Sequence, residues 1–131
     1  MKCELISVGD ELLIGQTINT NASWLGEQLN NLGFTIAHGL VISDQKNDIV
    51  NALIQAENRS DIVIITGGLG PTNDDITKHT LTEYFNTTLE LDKEIEQNII
   101  DYFTNRKLPI LQTNKDPVSY THLTLPPTPY V

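Results

Sequence analysis

Residues 61–77 read DIVIITGGLGPTNDDIT. DIVIIT is apolar without a break and rich in β-branched residues, the pattern of a central parallel strand covered on both faces. Gly67, Gly68 and Gly70 follow, then Asp74 and Asp75, and then KHTLTEYF, which places a helix at about 75–86. Strand, glycine turn and helix start form the repeating half of an α/β fold. The glycines have two uses. They allow a tight turn before a capped helix, or they let successive backbone N–H groups point into one concavity beside a helix N-terminus. The second arrangement holds a phosphate without a lysine. The loop is neither a P-loop, because no Lys-Ser/Thr follows, nor G-x-G-x-x-G. Taken alone, it leaves both uses open.

The chain upstream repeats the alternation. CELISV (3–8) reads as a strand ending at Gly9, and GDELLIGQTINT as a loop with one helical turn. Residues 21–32 form a helix, with Thr20 or Asn21 as its cap and Gly33 at its end. Its stripe is Trp24, Leu25, Leu29 and Leu32, with Trp24 in the core. A second strand covers 34–43. Asp44 then precedes a helix whose buried stripe is Ile49, Leu53 and Ala56. A last helix spans 92–106, acidic at its start and basic at Arg106 and Lys107, with Ile95, Ile99, Ile100 and Phe103 as its buried face. The order β-α-β-α-β-α-α predicts an α/β fold with a parallel sheet and right-handed crossovers.

Composition narrows the function. The 131 residues carry a formal net charge of −9, with no Lys or Arg from Cys3 to Gln45. Such a chain lacks the basic face that a nucleic-acid grip requires. An anion meeting this half must be held by backbone N–H groups or through a cation. No apolar run approaches the ~20 residues of a membrane span. MKCELISVGDELL lacks the apolar stretch of a signal peptide, so the expected location is cytoplasmic. Cys3 is the only cysteine and reads as a small buried hydrophobe. Five of the six prolines lie beyond residue 108. The end, DPVSYTHLTLPPTPYV, resembles translated adapter sequence, so we expect a partial domain over 1–116 and a non-native or disordered tail over 117–131, with neither helix nor strand.

In an open parallel sheet, ligands bind beyond the carboxyl ends of the strands. After the first strand come Gly9, Asp10 and Glu11; after the second, Asp44; after the third, the glycine loop with Thr72, Asp74, Asp75 and Thr77. Each has an ordinary explanation. Asp44, Asp74 and Asp75 are suited to capping helices, and Asp10-Glu11 to a solvated turn. Asp44 by itself reads best as a cap. Their convergence from three segments is what periodicity does not require. Carboxylates there suit a Mg²⁺-type ion shared with substrate phosphates. No role falls to His38, read as a strand residue with a local partner, to His79, read as a helix-surface residue, or to His122.

ISVGDELLIGQTINTNASWLGEQLNNLG, VISDQKNDIVNAL and VIITGGLGPTNDDIT, in this order, resemble the N-terminal domain of the competence/damage-inducible protein A (CinA) family, within the molybdopterin-binding superfamily. The resemblance covers residues 1 to about 115. It implies a three-layer α/β/α fold with a mostly parallel sheet, incomplete here at the C-terminus. It also implies a nucleotide-type substrate, a divalent metal and hydrolysis of ADP-ribose at its pyrophosphate. Carried over motif by motif, Asp44 and Asp75 fall on catalytic and metal-binding positions. Gly67, Gly68, Gly70, Thr72 and Thr77 fall on the phosphate-binding loop, and Glu11 and Asn21 on further nucleotide-binding positions. A homo-oligomer is expected. Two alternatives stay open: a nucleotide- or pterin-binding module without hydrolysis, and a molybdopterin adenylyltransferase.

Overall fold

The computed structural model describes residues 1–70 and 76–109, together with the backbone of 120–123. The chain divides into two compact units, Met1–Leu69 with 73–80, and Gly70–Thr72 with Leu81–Val131.

The first unit is built on a parallel sheet in the order β2-β1-β3, from β1 (Lys2–Val8), β2 (Thr35–Ile42) and β3 (Ile62–Thr66). Between them run α1 (Asp10–Leu13), α2 (Thr20–Asn31) and α3 (Lys46–Glu57). The chain moves from β1 to β2 on one side, then crosses back to β3 on the other. With right-handed crossovers, that reversal puts α2 and α3 on opposite faces of the sheet. The predicted α/β architecture with a parallel sheet is therefore observed, but its centre is a different strand. β1 lies in the middle, and every residue from Cys3 to Val8 is buried. DIVIIT was expected at the centre; among the described residues β3 pairs on one side alone, and all five of its residues are half-buried.

The helices show where periodicity suffices. In α3, Ile49, Leu53 and Ala56 are buried as expected, joined by Ala52. The predicted stripe of α2 is covered less completely. Leu25 and Leu29 are half-buried, but Trp24 is 61% exposed and Leu32 74%. Trp24 is therefore a surface residue and not part of the core. A fully buried Trp loses about 3–5 kcal/mol on truncation to Ala. Trp24→Ala is expected to cost less than about 1 kcal/mol, read as a nearly unchanged denaturant midpoint. A loss of several kcal/mol would mean that the ring is covered after all.

Two caps also differ from expectation. Asn19 caps α2, its Oδ1 accepting from the Ala22 N–H at 3.1 Å. Gln45, which makes no side-chain capping bond, occupies the N-cap of α3 in place of Asp44.

In the second unit, β4 (Leu89–Leu91) pairs antiparallel with β5 (Tyr120–Leu123). Neither strand was expected, and β5 falls inside the segment read as an unstructured tail. A three-residue strand gives almost no periodic signal. α4 (Thr77–Tyr84) begins in the first unit and ends in the second. α5 (Lys93–Asn105) is capped by Asp92, whose Oδ1 accepts from the N–H groups of Glu94 and Ile95 at 3.0 Å. Its apolar face of Ile95, Ile99, Ile100 and Phe103 is half-buried, not fully covered as predicted. Arg106 lies at the helix end, its guanidinium 3.9 Å over the Tyr102 ring.

Candidate ligand site at the carboxyl ends of the sheet

The reversal of strand order falls between β1 and β3, where open α/β sheets place their ligands. A cleft of about 150 Å³ lies there, lined among others by Val8, Glu11, Asn19, Asn21, Thr66 and Gly67.

Its floor is the turn after β3. Gly67 has φ +93° and Gly68 φ +60°, conformations that side-chain-bearing residues rarely adopt. Space excludes a side chain as firmly as conformation does. A Cβ on Gly67 would come within 2.0 Å of the Val8 carbonyl oxygen, and one on Gly68 within 2.2 Å of Thr77 Oγ1. Thr77 is wholly buried at the start of α4, and its backbone N–H donates to the Gly68 carbonyl at 3.1 Å. Its hydroxyl makes no hydrogen bond, the one buried side-chain oxygen among the described residues in that condition. Such a group costs free energy unless it finds a partner. Gly70 is exposed, while Thr72, Asp74 and Asp75 lie outside the described residues.

The loop after β1 forms one wall. The Gly9 N–H donates to the Ile42 carbonyl at 3.0 Å, which fixes this strand end to β2. The exposed Glu11 folds its carboxylate back over Gly9: a Cβ there would lie 2.6 Å from Oε1. Asp10 and Asp44 staple two loops together. The Asp10 N–H donates to Asp44 Oδ2 at 3.1 Å, and the Asp44 N–H donates to Asp10 Oδ1 at 3.4 Å. The N-cap position of α3 thus belongs to Gln45, and Asp44 Oδ2 is bound to the loop after β1. Its carboxylate faces that loop, but Asp44 is not among the residues that line the cleft. Asn21 is exposed in the first turn of α2, on the far wall.

Among the described residues, no three His, Cys, Asp or Glu side chains come together as a metal-binding group. Lys78, the nearest basic residue in sequence, is half-buried, and that burial lowers its pKa.

A second polar cluster had no place in the sequence reading. Glu4 is wholly buried in β1. Arg59 Nε donates to its Oε2 at 2.8 Å and Arg59 Nη2 to its Oε1 at 2.5 Å, while Ser60 Oγ donates to Oε2 at 3.1 Å. His38 Nδ1 lies 3.8 Å from Oε2, so the neighbour of this strand histidine comes from the adjacent strand β1 and not from its local sequence. The Arg59 hydrogen bonds hold the Glu4 carboxyl below its ordinary value against the opposing effect of burial. A glutamate inside an apolar strand was the available signal for a buried partner. Burial alone pushes the Cys3 thiol up.

Comparison with known proteins identifies the family and the fold. The family described as "Probable molybdopterin binding domain" matches residues 4–128. A "CinA-like protein" of Flavobacterium psychrophilum is 48% identical over 120 residues, covering 88% of this chain and 28% of that protein. Another, from Salinibacter ruber, is 42% identical over 106 residues, 81% of this chain and 26% of the relative. The chain thus spans little more than a quarter of these relatives. The crystal structure of CinA from Thermoplasma acidophilum, described as of unknown function, superimposes with a TM-score of 0.71 at 32% identity, over 87% of this chain and 66% of that one. The tungsten cofactor synthesizing protein MoaB of Pyrococcus furiosus, 22% identical, shares the fold with a TM-score of 0.59 over 80% and 63% of the two chains. The match across 4–128 and the identity to two CinA-like proteins make this chain a member of the molybdopterin-binding domain family, in its CinA branch.

Proposed function

We propose that the carboxyl-end cleft binds the phosphates of a nucleotide-type ligand, and that in the whole protein it cleaves the pyrophosphate of ADP-ribose-like compounds. The observation that carries the reading is the Gly67-Gly68 turn, which admits no side chain and sits against the unsatisfied, buried Thr77 hydroxyl. A backbone cradle at the start of α4 suits an anion, and the loops after β1 and β2 that face it, within Cys3–Gln45, carry no lysine or arginine.

The carboxylate of Asp44 suits a divalent ion such as Mg²⁺, while its expected partner ligand, Asp75, lies outside the described residues. Such ions prefer oxygen ligands and are commonly held by one or two carboxylates plus substrate phosphates, so three converging acids are not required. Asp44 would hold the ion together with Asp75, with Asp10 and Glu11 adjacent to Asp44 and the cleft. When bound, it would supply neutralisation of charge on the phosphoryl oxygens. Asp44 would also orient the attacking water. In the reaction, water adds to one phosphorus, the bridging P–O bond breaks, and AMP and ribose 5-phosphate leave.

A second reading is a binding module without hydrolysis, because a backbone turn such as Gly67-Gly68 serves to hold phosphate whether or not the ligand is cleaved. Incubating the complete protein with ADP-ribose and Mg²⁺ separates the two: AMP supports hydrolysis, and tight binding without AMP supports the module. ATP-dependent transfer to a pterin would instead mark an adenylyltransferase. The cradle has its own test. Gly68→Val should weaken nucleotide binding at least ~10-fold in titration calorimetry, about 1.4 kcal/mol. Lys78→Ala should change it far less. The reverse pattern would overturn the backbone cradle.

A further inference from the structure

Asn19 commits both ends of its side chain. Nδ2 donates to Ser7 Oγ at 2.8 Å, and Oδ1 accepts from the Ala22 N–H at 3.1 Å. Ser7 is buried, the penultimate residue of central strand β1, and also receives the Thr66 hydroxyl of β3 at 3.5 Å. One amide thus ties the first turn of α2 to the carboxyl ends of both strands that flank the cleft. Thr20 and Asn21, the next two residues, line that cleft with Asn19 itself. Among the described residues, the side chains of the loop leading to Asn19 make no comparable anchor. Ile18 is 83% exposed, and the backbone N–H groups of Gln16 and Thr17 bond back to the Glu11 carbonyl.

We propose that Asn19 is a positioning residue of the ligand site. It moors the α2 wall to the sheet, so that Asn21 meets the ligand at a fixed height above the Gly67 turn. The proposal rests on the nucleotide-binding reading for its ligand and on the Ser7–Asn19–Ala22 chain for its geometry. Its distinguishing feature is the separation of mooring from capping. Serine caps a helix about as well as asparagine but is too short to reach Ser7. At position 7, threonine and valine have the same shape and differ in the hydroxyl alone.

The test uses the complete protein, with ADP-ribose as the probe. Asn19→Ser and Ser7→Val should each raise the Kd at least ~5-fold, and the double variant should be no worse than either, because one interaction has been removed. Ser7→Thr should bind within about twofold of the parent, well short of the ~10-fold that marks 1.4 kcal/mol. Equal binding by the Thr and Val variants, or fully additive losses in the double variant, would overturn the proposal. Amide exchange over 19–26 gives a readout that needs no ligand. Ser7→Val should speed it and Ser7→Thr should not. If the parent binds no ADP-ribose, the functional reading fails, and this exchange difference alone decides the mooring. Equal exchange in the two variants would overturn it.

Discussion

Arg59→Ala is expected to lower the melting temperature by roughly 5–10 °C and to make stability rise as the pH falls from 7 to about 4.5, a range over which the Glu4 contribution in the parent stays nearly constant. Removing one partner of a fully enclosed ion pair costs about 3–5 kcal/mol. Arg59 lies at the surface end of this one, with 33% of its side chain exposed, so a loss below that range, about 2 kcal/mol, is expected and converts to the stated shift. The pH effect follows from Glu4. In the parent its pKa is held low, chiefly by the Arg59 hydrogen bonds. The stability it contributes is therefore present above the ordinary carboxylate pKa and is lost as the pH falls through the lower, folded-state value. Without Arg59, burial of a wholly enclosed carboxyl dominates and raises its pKa. Acidification from pH 7 should then stabilise the variant. Melting curves at pH 4.5, 5.5 and 7 check both statements. A variant that melts like the parent at all three would show that Ser60 and His38 suffice.

The second large effect concerns turnover in the complete protein. Asp44→Asn preserves an oxygen that can accept from the Asp10 N–H, now at 3.1 Å, so the loop staple and the melting temperature should change little. It removes the charge that a cation needs. ADP-ribose hydrolysis should fall at least ~100-fold, about 2.7 kcal/mol of barrier. Asp75→Asn should behave alike. Assays on one preparation of each variant, beside its melting curve, separate chemistry from folding. Near-normal hydrolysis in Asp44→Asn would reduce this residue to a staple and leave the binding-module reading.

What the sequence disclosed depended on how far apart the interacting residues lie. The stripe of α3 was legible because Ile49, Leu53 and Ala56 all repeat on one helix facing the sheet. The stripe of α2 repeats equally well, but periodicity marks a face without saying what covers it, and so Trp24 was misplaced. The glycine turn and the converging acids were visible as residue types. Their bonds were not. Asp44 pairs with a residue 34 positions away, and Glu4 with one 55 away. Asp44 looked like a cap because only its immediate neighbours were available for the argument. β3 looked central because its composition is uniformly apolar, whereas β1 conceals its central place behind Glu4 and Ser7.

The seat of Gly67 on the Val8 carbonyl has a consequence for how such a site can change over generations. At Gly67 the cleft is lined by main-chain atoms, and a point mutation there must first insert a Cβ for which there is no room. The part that would grip phosphate is thereby withheld from gradual revision. The walls are not: Glu11, Ile18 and Asn21 are exposed side chains around the same cleft, free to vary one at a time. Descendants of this chain can exchange the molecule attached to the phosphates far more readily than they can give up the phosphates themselves.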